Sequence, residues 1–335
     1  MINVKKPGLL STIQDLGRHG YQKYGVIVSG SMDPLAHKIS NLLVGNDENE
    51  AALEITLMGP VLEFKETTLI SICGGDLSPT IDGKPVPLRR SLLIKAGSVL
   101  KFGASRNGCR SYLAVAGGFN VPTVMNSKST YVRAGIGGLD GRPLKAGDAL
   151  QAGRPLKKES EKIIDYLLPY LEDNHFTEID WSISSEFISS YQQKQAIRII
   201  PGTEYELFSA ESQEQFFNKP FKVSAQSDRM GYRLEGPSLS LEEELNMISE
   251  AVVFGTIQVP SNGDPIILLA DRQTTGGYPR IGYIASVDLP LIAQTKPGDE
   301  LTFTMVTQEK AQELYIDREK QLNHLKQGIA LKCNS

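Results

Sequence analysis

The chain has 335 residues and a formal net charge of −4, and 40% of its residues are hydrophobic and 22% charged. That length allows two domains of ordinary size, and the composition is typical of a globular protein with a sizeable core. The slight negative charge argues against a surface for nucleic acid or anionic membrane. Because no apolar run could span a bilayer and no signal-like segment is present, we expect a cytoplasmic protein without membrane contact.

Cysteine and histidine are scarce. The three cysteines lie far apart and form no Cys-x-x-Cys pair, which argues against a disulfide framework. The four histidines likewise lack the spacing of metal ligands. We therefore expect free thiols and no bound metal.

Most of the chain alternates between short apolar runs and turn signals. The first such runs lie at residues 51–58, 60–64, 67–73, 91–102 and 110–116. Between them, Ile81-Asp82-Gly83-Lys84 contains the Asp-Gly pair of a tight β-hairpin. Strands at such close spacing are typical of barrels or sandwiches rather than of alternating strands and helices. The predicted fold is mainly β, with two barrel-like domains and few helices.

One helix near the N-terminus is well specified. Asp33 is a suitable N-cap, Pro34 suits the first turn, and a left-handed stop at Gly45 follows. The apolar residues between them recur at helical spacing, which predicts a helix packed on the core.

A repeated turn-and-strand pattern indicates where two domains end. Residues 95–100, 145–150 and 296–301 each begin with Lys, have Gly at the third position and end with Leu. We predict an N-terminal β-barrel-like domain over residues 1–155, a partly helical connection over 156–194, a second barrel over 195–306, and a charged helical tail over 307–335. The tail is expected to dock on its own domain, and a partner-binding helix is the alternative.

Polar side chains concentrate near the N-terminus, where Gln14, Asp15 and Arg18 are followed by Ser29 and Asp33. They predict a substrate-binding surface, although Asp33 is equally well explained as a helix cap. The hydroxyl-rich segment at residues 127–130 is a second candidate loop.

The strongest site signal lies in residues 255–278. Two apolar arms flank Asn262-Gly263, and a turn centred there pairs Gln258 with Ile267. Strand alternation then places Gln258, Asp271 and Gln273 on one face. The alternative is that Asp271 and its neighbour Arg272 only pair or are solvated at a strand end. The polar residues that follow the second arm, and that suit the rim of a small-molecule site, are Asp271, Gln273, Thr274, Thr275, Gly277 and Tyr278.

A further polar cluster, residues 227–233, contains Arg229 and Tyr232. It is suited to binding a carboxylate, and a salt-bridged turn is the alternative. The sequence contains no Gly-x-x-x-x-Gly-Lys-Ser/Thr phosphate loop, no dinucleotide fingerprint and no Met-Lys biotinylation context. Biotin is therefore not expected on this chain alone, and ATP chemistry would need a site that these motifs do not assign.

Several longer motifs together resemble a known family. They are residues 12–18 (Thr-Ile-Gln-Asp-Leu-Gly-Arg), 24–34, 41–46, 112–118, 227–236 and 257–260, together with Asp-Arg-Gln-Thr-Thr-Gly-Gly-Tyr at 271–278. They are similar to the KipA family, also called the biotin-dependent carboxyltransferase or allophanate-hydrolase-subunit-2-like family, which includes the PxpC subunit of the ATP-dependent 5-oxoprolinase. The resemblance covers roughly residues 1–305.

The resemblance implies two β-barrel-like units, the second of them cyclophilin-like. It also implies a KipI-like (PxpB) partner subunit and a PxpA-like subunit, which together use ATP to open 5-oxoproline to L-glutamate. On this basis Arg18 or Arg229 is expected to hold the substrate carboxylate, Asp15 and Asp271 to transfer protons, and Gln258 and Gln273 to orient the lactam. The chain alone is expected to be inactive.

Two other functions fit the same resemblance. The first is a regulatory protein that antagonises a KipI-type inhibitor of a sporulation histidine kinase. The second is a carboxyltransferase that acts on a urea-like substrate. The absence of a biotin site in this chain weakens the second.

Overall fold

A computed structural model describes residues 1–172, 174–183, 195–243 and 245–332. The contacts divide the chain into two units. The first consists of Met1–His19, Ser29–Tyr191 and Leu322–Ser335, and the second of Gly20–Val28 and Gln192–Gln321. Strands dominate both, and the described residues contain five α-helices, which confirms the predicted mainly β class.

The first unit contains two six-stranded sheets, which run in the order β11-β1-β4-β9-β6-β7 and β12-β8-β5-β10-β3-β2. Its elements are β1 (Ile2–Lys6), β2 (Leu10–Gln14), α1 (Pro34–Leu43), β3 (Ala52–Thr56), β4 (Val61–Phe64), β5 (Thr68–Asp76), β6 (Thr80–Ile81), β7 (Lys84–Pro85), β8 (Ser91–Ile94), β9 (Val99–Lys101), β10 (Asn107–Val115), β11 (Ala149–Leu150), α2 (Lys158–Leu167) and β12 (Phe176–Glu178).

The core of this unit contains side chains from both sheets. On β5, Ile70 and Ile72 join that core, whereas Leu69 belongs to a cluster with α2 and Cys73 to a cluster with α1. Alternate residues of a strand point to opposite faces. The unbroken apolar run at residues 67–73 is thus explained by burial on both faces.

Local sequence signals in this unit are confirmed. Asp33 caps α1, with its Oδ1 accepting a hydrogen bond of 2.9 Å from the Ala36 N–H, and Gly45 follows the helix with φ at 75°. A Cβ at Gly45 would lie 2.6 Å from the Ser160 nitrogen, so glycine is required there for space as well as for conformation. The hairpin of β6 and β7 has positive φ at both central residues, 47° at Asp82 and 84° at Gly83, as its turn type requires.

The second unit contains an eight-stranded sheet in the order β21-β14-β15-β18-β17-β20-β13-β22 and a separate pair, β16-β19. Its elements are β13 (Ile197–Pro201), α3 (Ala210–Asn218), β14 (Phe221–Val223), β15 (Gly231–Glu235), β16 (Glu250–Ala251), β17 (Thr256–Gln258), β18 (Ile266–Leu268), β19 (Thr275–Gly276), β20 (Arg280–Ile284), α4 (Leu289–Ala293), β21 (Glu300–Leu301), β22 (Phe303–Met305) and α5 (Gln308–Lys332), whose last part belongs to the first unit.

This larger sheet is a nearly closed barrel. Its two edges are β21 and β22, and only Thr302 separates these strands in sequence. Inside the barrel, the rings of Phe216 and Phe303 stack with their centroids 4.7 Å apart, and both rings also pack against Phe221. One short piece of chain thus supplies both edges and part of the aromatic core.

Two predicted segments differ from the structure. Residues 158–178 do not form a free connection, because α2 packs on the first unit and β12 pairs with β8. Residues 184–194 of the predicted connection lie outside the described residues. The tail is helical as predicted, but the expectation that it docks wholly on its own domain is wrong. Leu322 and Ile329 of α5 pack with Ala36 and Ile39 of α1 in the first unit.

Candidate functional site

The candidate side chains form two groups, one in each unit. In the first unit, Asp15 is 2% exposed and is surrounded by donors. Its Oδ1 accepts from the Gly17 N–H and from Ser127 Oγ, both at 2.8 Å, and its Oδ2 accepts from the Lys128 N–H at 2.6 Å. Ser129 Oγ also donates to Oδ1. The structure therefore joins the N-terminal cluster to the segment at residues 127–130, with Asp15 as the central acceptor.

Gln14 and Ser29 contact the same loop. Gln14 Nε2 donates to Thr12 Oγ1 at 3.0 Å and to the Thr130 carbonyl at 3.1 Å, and Ser29 Oγ donates to the same carbonyl at 3.1 Å. Ser29 has φ at 56°, in the left-handed region. The Oε1 of Gln14 is buried and accepts no hydrogen bond from any residue that the structure describes.

Arg18 is fully buried and is held by the backbone. Its Nε donates to the Val124 carbonyl at 3.1 Å and its Nη2 to the Ser129 carbonyl at 2.8 Å. A Cβ at Gly137 would lie 2.0 Å from that Ser129 oxygen and 2.8 Å from Arg18 Nη2. The arrangement fixes the loop, and the guanidinium is engaged by protein acceptors rather than directed at open space.

Beneath this loop lies a buried polar network that sequence reasoning missed. The Tyr112 hydroxyl donates to Glu54 Oε2 at 2.7 Å and accepts from the Asp33 N–H at 2.8 Å, while the Met32 N–H donates to the same Glu54 oxygen at 2.8 Å. Burial and the neighbouring Glu54 raise the pKa of Tyr112 well above its usual range. The one available signal is the single acidic residue in the buried strand β3.

His37 of α1 lies next to this network and is fully buried. Burial lowers its pKa to about 4, so the imidazole is neutral near pH 7. Its Nε2 accepts a hydrogen bond of 3.2 Å from Asn41 Nδ2.

In the second unit, Asp271 and Arg229 form a buried bidentate ion pair. Arg229 Nε lies 2.9 Å from Asp271 Oδ2 and Nη2 lies 3.1 Å from Oδ1, while the two residues are 7% and 6% exposed. The predicted partly solvated rim is wrong for Asp271, because the carboxylate is enclosed with its guanidinium partner. The structure joins residues 227–233 to residues 271–278, which the sequence presented as separate clusters.

The predicted register of the β17–β18 hairpin is wrong by one residue. Gln258 pairs with Ile266, not Ile267. The Gly263 N–H donates to the Pro260 carbonyl at 2.9 Å, so the turn spans residues 260–263. Since β18 ends at Leu268, strand alternation does not reach Asp271 and does not place it on one face with Gln273.

The segment after Asp271 is largely accessible. Thr275 and Gly276 form β19 against β16, and Gln258 Nε2 donates to the Tyr278 carbonyl at 3.2 Å. Gln258 is 4% exposed and lies against Gly276. The predicted rim residues divide by exposure: Gln273, Thr275 and Tyr278 are exposed, while Thr274 and Gly277 are partly buried.

Tyr232 occupies a structural position. It is 2% exposed, and its hydroxyl donates to the Thr295 carbonyl at 3.0 Å. The other ion pair of this unit, also missed from the sequence, joins Arg280 to Glu204 through contacts of 2.7 Å from Nε and from Nη2, with Glu250 2.7 Å from Nη2. Hydrogen bonding to Glu204 raises the pKa of Arg280.

Arg272, which the sequence suggests only as a pairing partner of Asp271 or a solvated strand end, is in fact 8% exposed. Its Nε and Nη1 donate to the Val252 and Leu269 carbonyls, both at 3.3 Å. Among the described residues no carboxylate pairs with it. Burial lowers the pKa of Arg272 to about 10.

A separate cavity of about 920 Å³ lies in the second unit, between the barrel and the first part of α5. Its lining includes Pro201, Thr203, Tyr283, Gln312 and Tyr315. None of the side chains predicted from the sequence as site residues lines it. Over the residues described, no three potential metal ligands cluster, and no helix is both long and apolar enough to cross a membrane.

The two units and their polar clusters match one family model. The carboxyltransferase domain, subdomain A and B, aligns with residues 24–305. The chain belongs to this family.

Among named proteins, the chain is similar to the C-type subunit of 5-oxoprolinase from Escherichia coli (strain K12). The two are 38% identical over 97% of this chain and 97% of that protein. It is also 32% identical to the urea amidolyase of Saccharomyces cerevisiae, of which it covers 17%. Among solved structures, the Kluyveromyces lactis urea carboxylase matches 98% of this chain with a TM-score of 0.85 and 30% identity, and the chain spans 29% of that protein.

Proposed function

We propose that this chain is the PxpC-type subunit of an ATP-dependent 5-oxoprolinase, which opens 5-oxoproline to L-glutamate with a KipI-like (PxpB) subunit and a PxpA-like subunit. The observation that carries the proposal is the 38% identity to a 5-oxoprolinase subunit across nearly the whole of both chains. A similar match, at 37% identity, is found with the subunit of the same name from Haemophilus influenzae.

The chemistry of the substrate sets the requirements. A lactam is a stable amide, and transfer of the ATP γ-phosphoryl group to its carbonyl oxygen makes the ring carbon electrophilic. Water then adds at that carbon, the ring C–N bond breaks, and the nitrogen takes a proton. Hydrolysis of the resulting acyl phosphate releases phosphate. A subunit in this reaction must hold the lactam, its carboxylate and the attacking water.

The second unit offers groups for these tasks. Gln258 donates through Nε2 to the Tyr278 carbonyl, and within the described residues its Oε1 accepts no hydrogen bond, so it can accept one from the lactam N–H. Asp271 in this proposal orients Arg229 and the adjacent polar segment, with proton transfer as its predicted further role. Arg18 and Arg229 are both engaged by protein acceptors, so the proposal assigns neither of them to the substrate carboxylate.

The test is ATP hydrolysis by the reconstituted three-subunit mixture, with and without this chain and with and without 5-oxoproline. We expect turnover only when both are present. An Arg233→Gln variant, altered at an exposed position of β15, serves as the control and should be as active as the unaltered chain. Equal turnover without this chain would refute the proposal.

A second candidate is carboxyl transfer to a urea-like substrate. The TM-score of 0.85 to a urea carboxylase favours it. In that case urea, and not 5-oxoproline, would stimulate ATP hydrolysis by the reconstituted mixture supplied with bicarbonate and a biotin-bearing component. The regulatory alternative, antagonism of a KipI-type inhibitor, stays a prediction that requires the same partner.

A further inference from the structure

The second unit buries three arginines near the polar segment at residues 271–278, and they differ in how their charge is balanced. Arg229 is paired with Asp271, and Arg280 with Glu204. Arg272 is equally buried, at 8% exposed, but within the described residues its hydrogen bonds go to two backbone carbonyls. The paired arginines provide an internal standard with which the third can be compared.

A guanidinium without a counter-charge is costly to bury, because carbonyl dipoles replace only part of its hydration. The two carbonyl contacts of Arg272 are both 3.3 Å long, whereas the two paired arginines contact carboxylate oxygens at 2.7–3.1 Å. The lowered pKa of Arg272 has burial as its cause. Part of the guanidinium fork therefore lacks an anionic acceptor.

The position of Arg272 indicates where such an acceptor would bind. The Val252 carbonyl accepts from Arg272, and the Val252 N–H donates to the Thr274 carbonyl at 3.2 Å. Arg272 thus lies beneath the strand pair β16–β19, beside the accessible hydroxyl and amide groups of residues 273–275. Gln258, which offers a free amide oxygen, packs against Gly276 of the same pair.

We propose that Arg272 is the recognition group for a small carboxylate ligand. A planar guanidinium fork matches the two oxygens of a carboxylate and supplies a charge-assisted bidentate contact. The identity of that carboxylate as the one on 5-oxoproline rests on the proposed function, whereas the carboxylate site itself does not.

A purely structural role for Arg272 leads to opposite expectations. If its carbonyl contacts stabilise the fold, neutralising the side chain lowers the melting temperature. If the charge is retained for a ligand, neutralising it leaves the ligand-free melting temperature unchanged or raises it, because the desolvation cost disappears. Arg272→Gln keeps an amide donor for a carbonyl and removes the charge.

The experiment measures thermal unfolding of the full chain with 5-oxoproline, with acetate, and with 2-pyrrolidone, which has the same lactam but no carboxylate. The unaltered chain and the Arg233→Gln control should be stabilised by the two carboxylates and not by 2-pyrrolidone. Arg272→Gln should weaken carboxylate binding on the order of 10–100-fold. The comparison variant Arg280→Gln, which breaks an existing pair, should lower the ligand-free melting temperature.

The outcomes separate this inference from the proposed function. The carboxylate site is overturned if neither carboxylate stabilises the unaltered chain, if Arg272→Gln responds to them normally, or if it destabilises the ligand-free chain as much as Arg280→Gln. Stabilisation by acetate but not by 5-oxoproline upholds the site and removes the substrate assignment. An active complex in which Arg272→Gln leaves KM for 5-oxoproline unchanged upholds the function and refutes the role of Arg272.

Discussion

Replacing Asp271 by asparagine tests the buried ion pair directly. The substitution keeps the shape of the side chain but leaves Arg229, which is 7% exposed, without its carboxylate. Removing one partner of a buried pair typically costs about 3–5 kcal/mol, because the remaining charge stays desolvated. The enclosed geometry, with contacts of 2.9 and 3.1 Å, places this pair in that range.

The assay is urea unfolding followed by far-UV circular dichroism, on Asp271→Asn, Arg229→Gln and the double variant. Each single variant should lose about 3–5 kcal/mol. The double variant should lose less than the two single losses combined, since neither charge is then left unpaired. Asp264→Asn, at an exposed position of the same hairpin, is the matched control and should change stability by less than about 0.5 kcal/mol.

A loss below about 1 kcal/mol for Asp271→Asn would refute this account, because a pair worth so little behaves as a solvent-exposed one. Additive losses in the double variant would also contradict it. At temperatures where Asp271→Asn is folded, 5-oxoproline-dependent turnover of the complex should fall by about 10²–10⁴-fold if the carboxylate also serves proton transfer. Unchanged turnover there would leave Asp271 a structural role alone.

Three further predictions concern the first unit and the assembly. Because the pKa of His37 is about 4 when folded against 6.5 as its ordinary value, the unfolded chain alone takes up this proton between those pH values. Stability should therefore fall by up to about 3 kcal/mol as pH drops from 6.5 to 4. Urea unfolding across that range should show the loss in the unaltered chain and in the exposed-site control His19→Gln, and a persistent slope in His37→Gln would contradict the assignment. Gly137→Ala should destabilise by at least about 2 kcal/mol, because its Cβ would meet the Ser129 carbonyl, whereas Gly147→Ala, with open space around it, should show only the cost of its positive φ; equal losses in calorimetry would remove the steric argument. The chain should co-elute with a KipI-like subunit in size-exclusion chromatography, and two independent peaks at micromolar concentration would count against the complex.

Local signals predicted much of the fold. The cap at Asp33, the stop at Gly45 and the Asp82-Gly83 hairpin were all readable because each depends on a few adjacent residues. The register of the β17–β18 hairpin was not, since Asn262-Gly263 favoured a turn one residue away from the one that forms. The packing of α2 and of the end of α5 depends on apolar faces whose partners are distant in sequence, and the apolar pattern alone does not identify them.

The candidate site was predicted as a set of residue types but not as a set of pairs. Asp15 and Ser127 are more than a hundred positions apart, and so are the residues that the Arg18 side chain contacts. Arg229 and Asp271 each suggested a ligand contact, and only the structure shows that they engage one another. Arg272 carries no sequence signal of its own, because its distinction is the absence of a carboxylate within the described residues around it.

The placement of β21 and β22 at opposite edges of one sheet has a consequence for the order of folding. During synthesis on the ribosome, β13 emerges about a hundred residues before β22, its parallel neighbour, and β14 waits similarly for β21. Both edges therefore stay open until residues 300–305 leave the exit tunnel, and they close together because one residue links the two strands. A nascent chain that stalls before that point exposes two unpaired strand edges at once, which makes it a template for pairing with other chains.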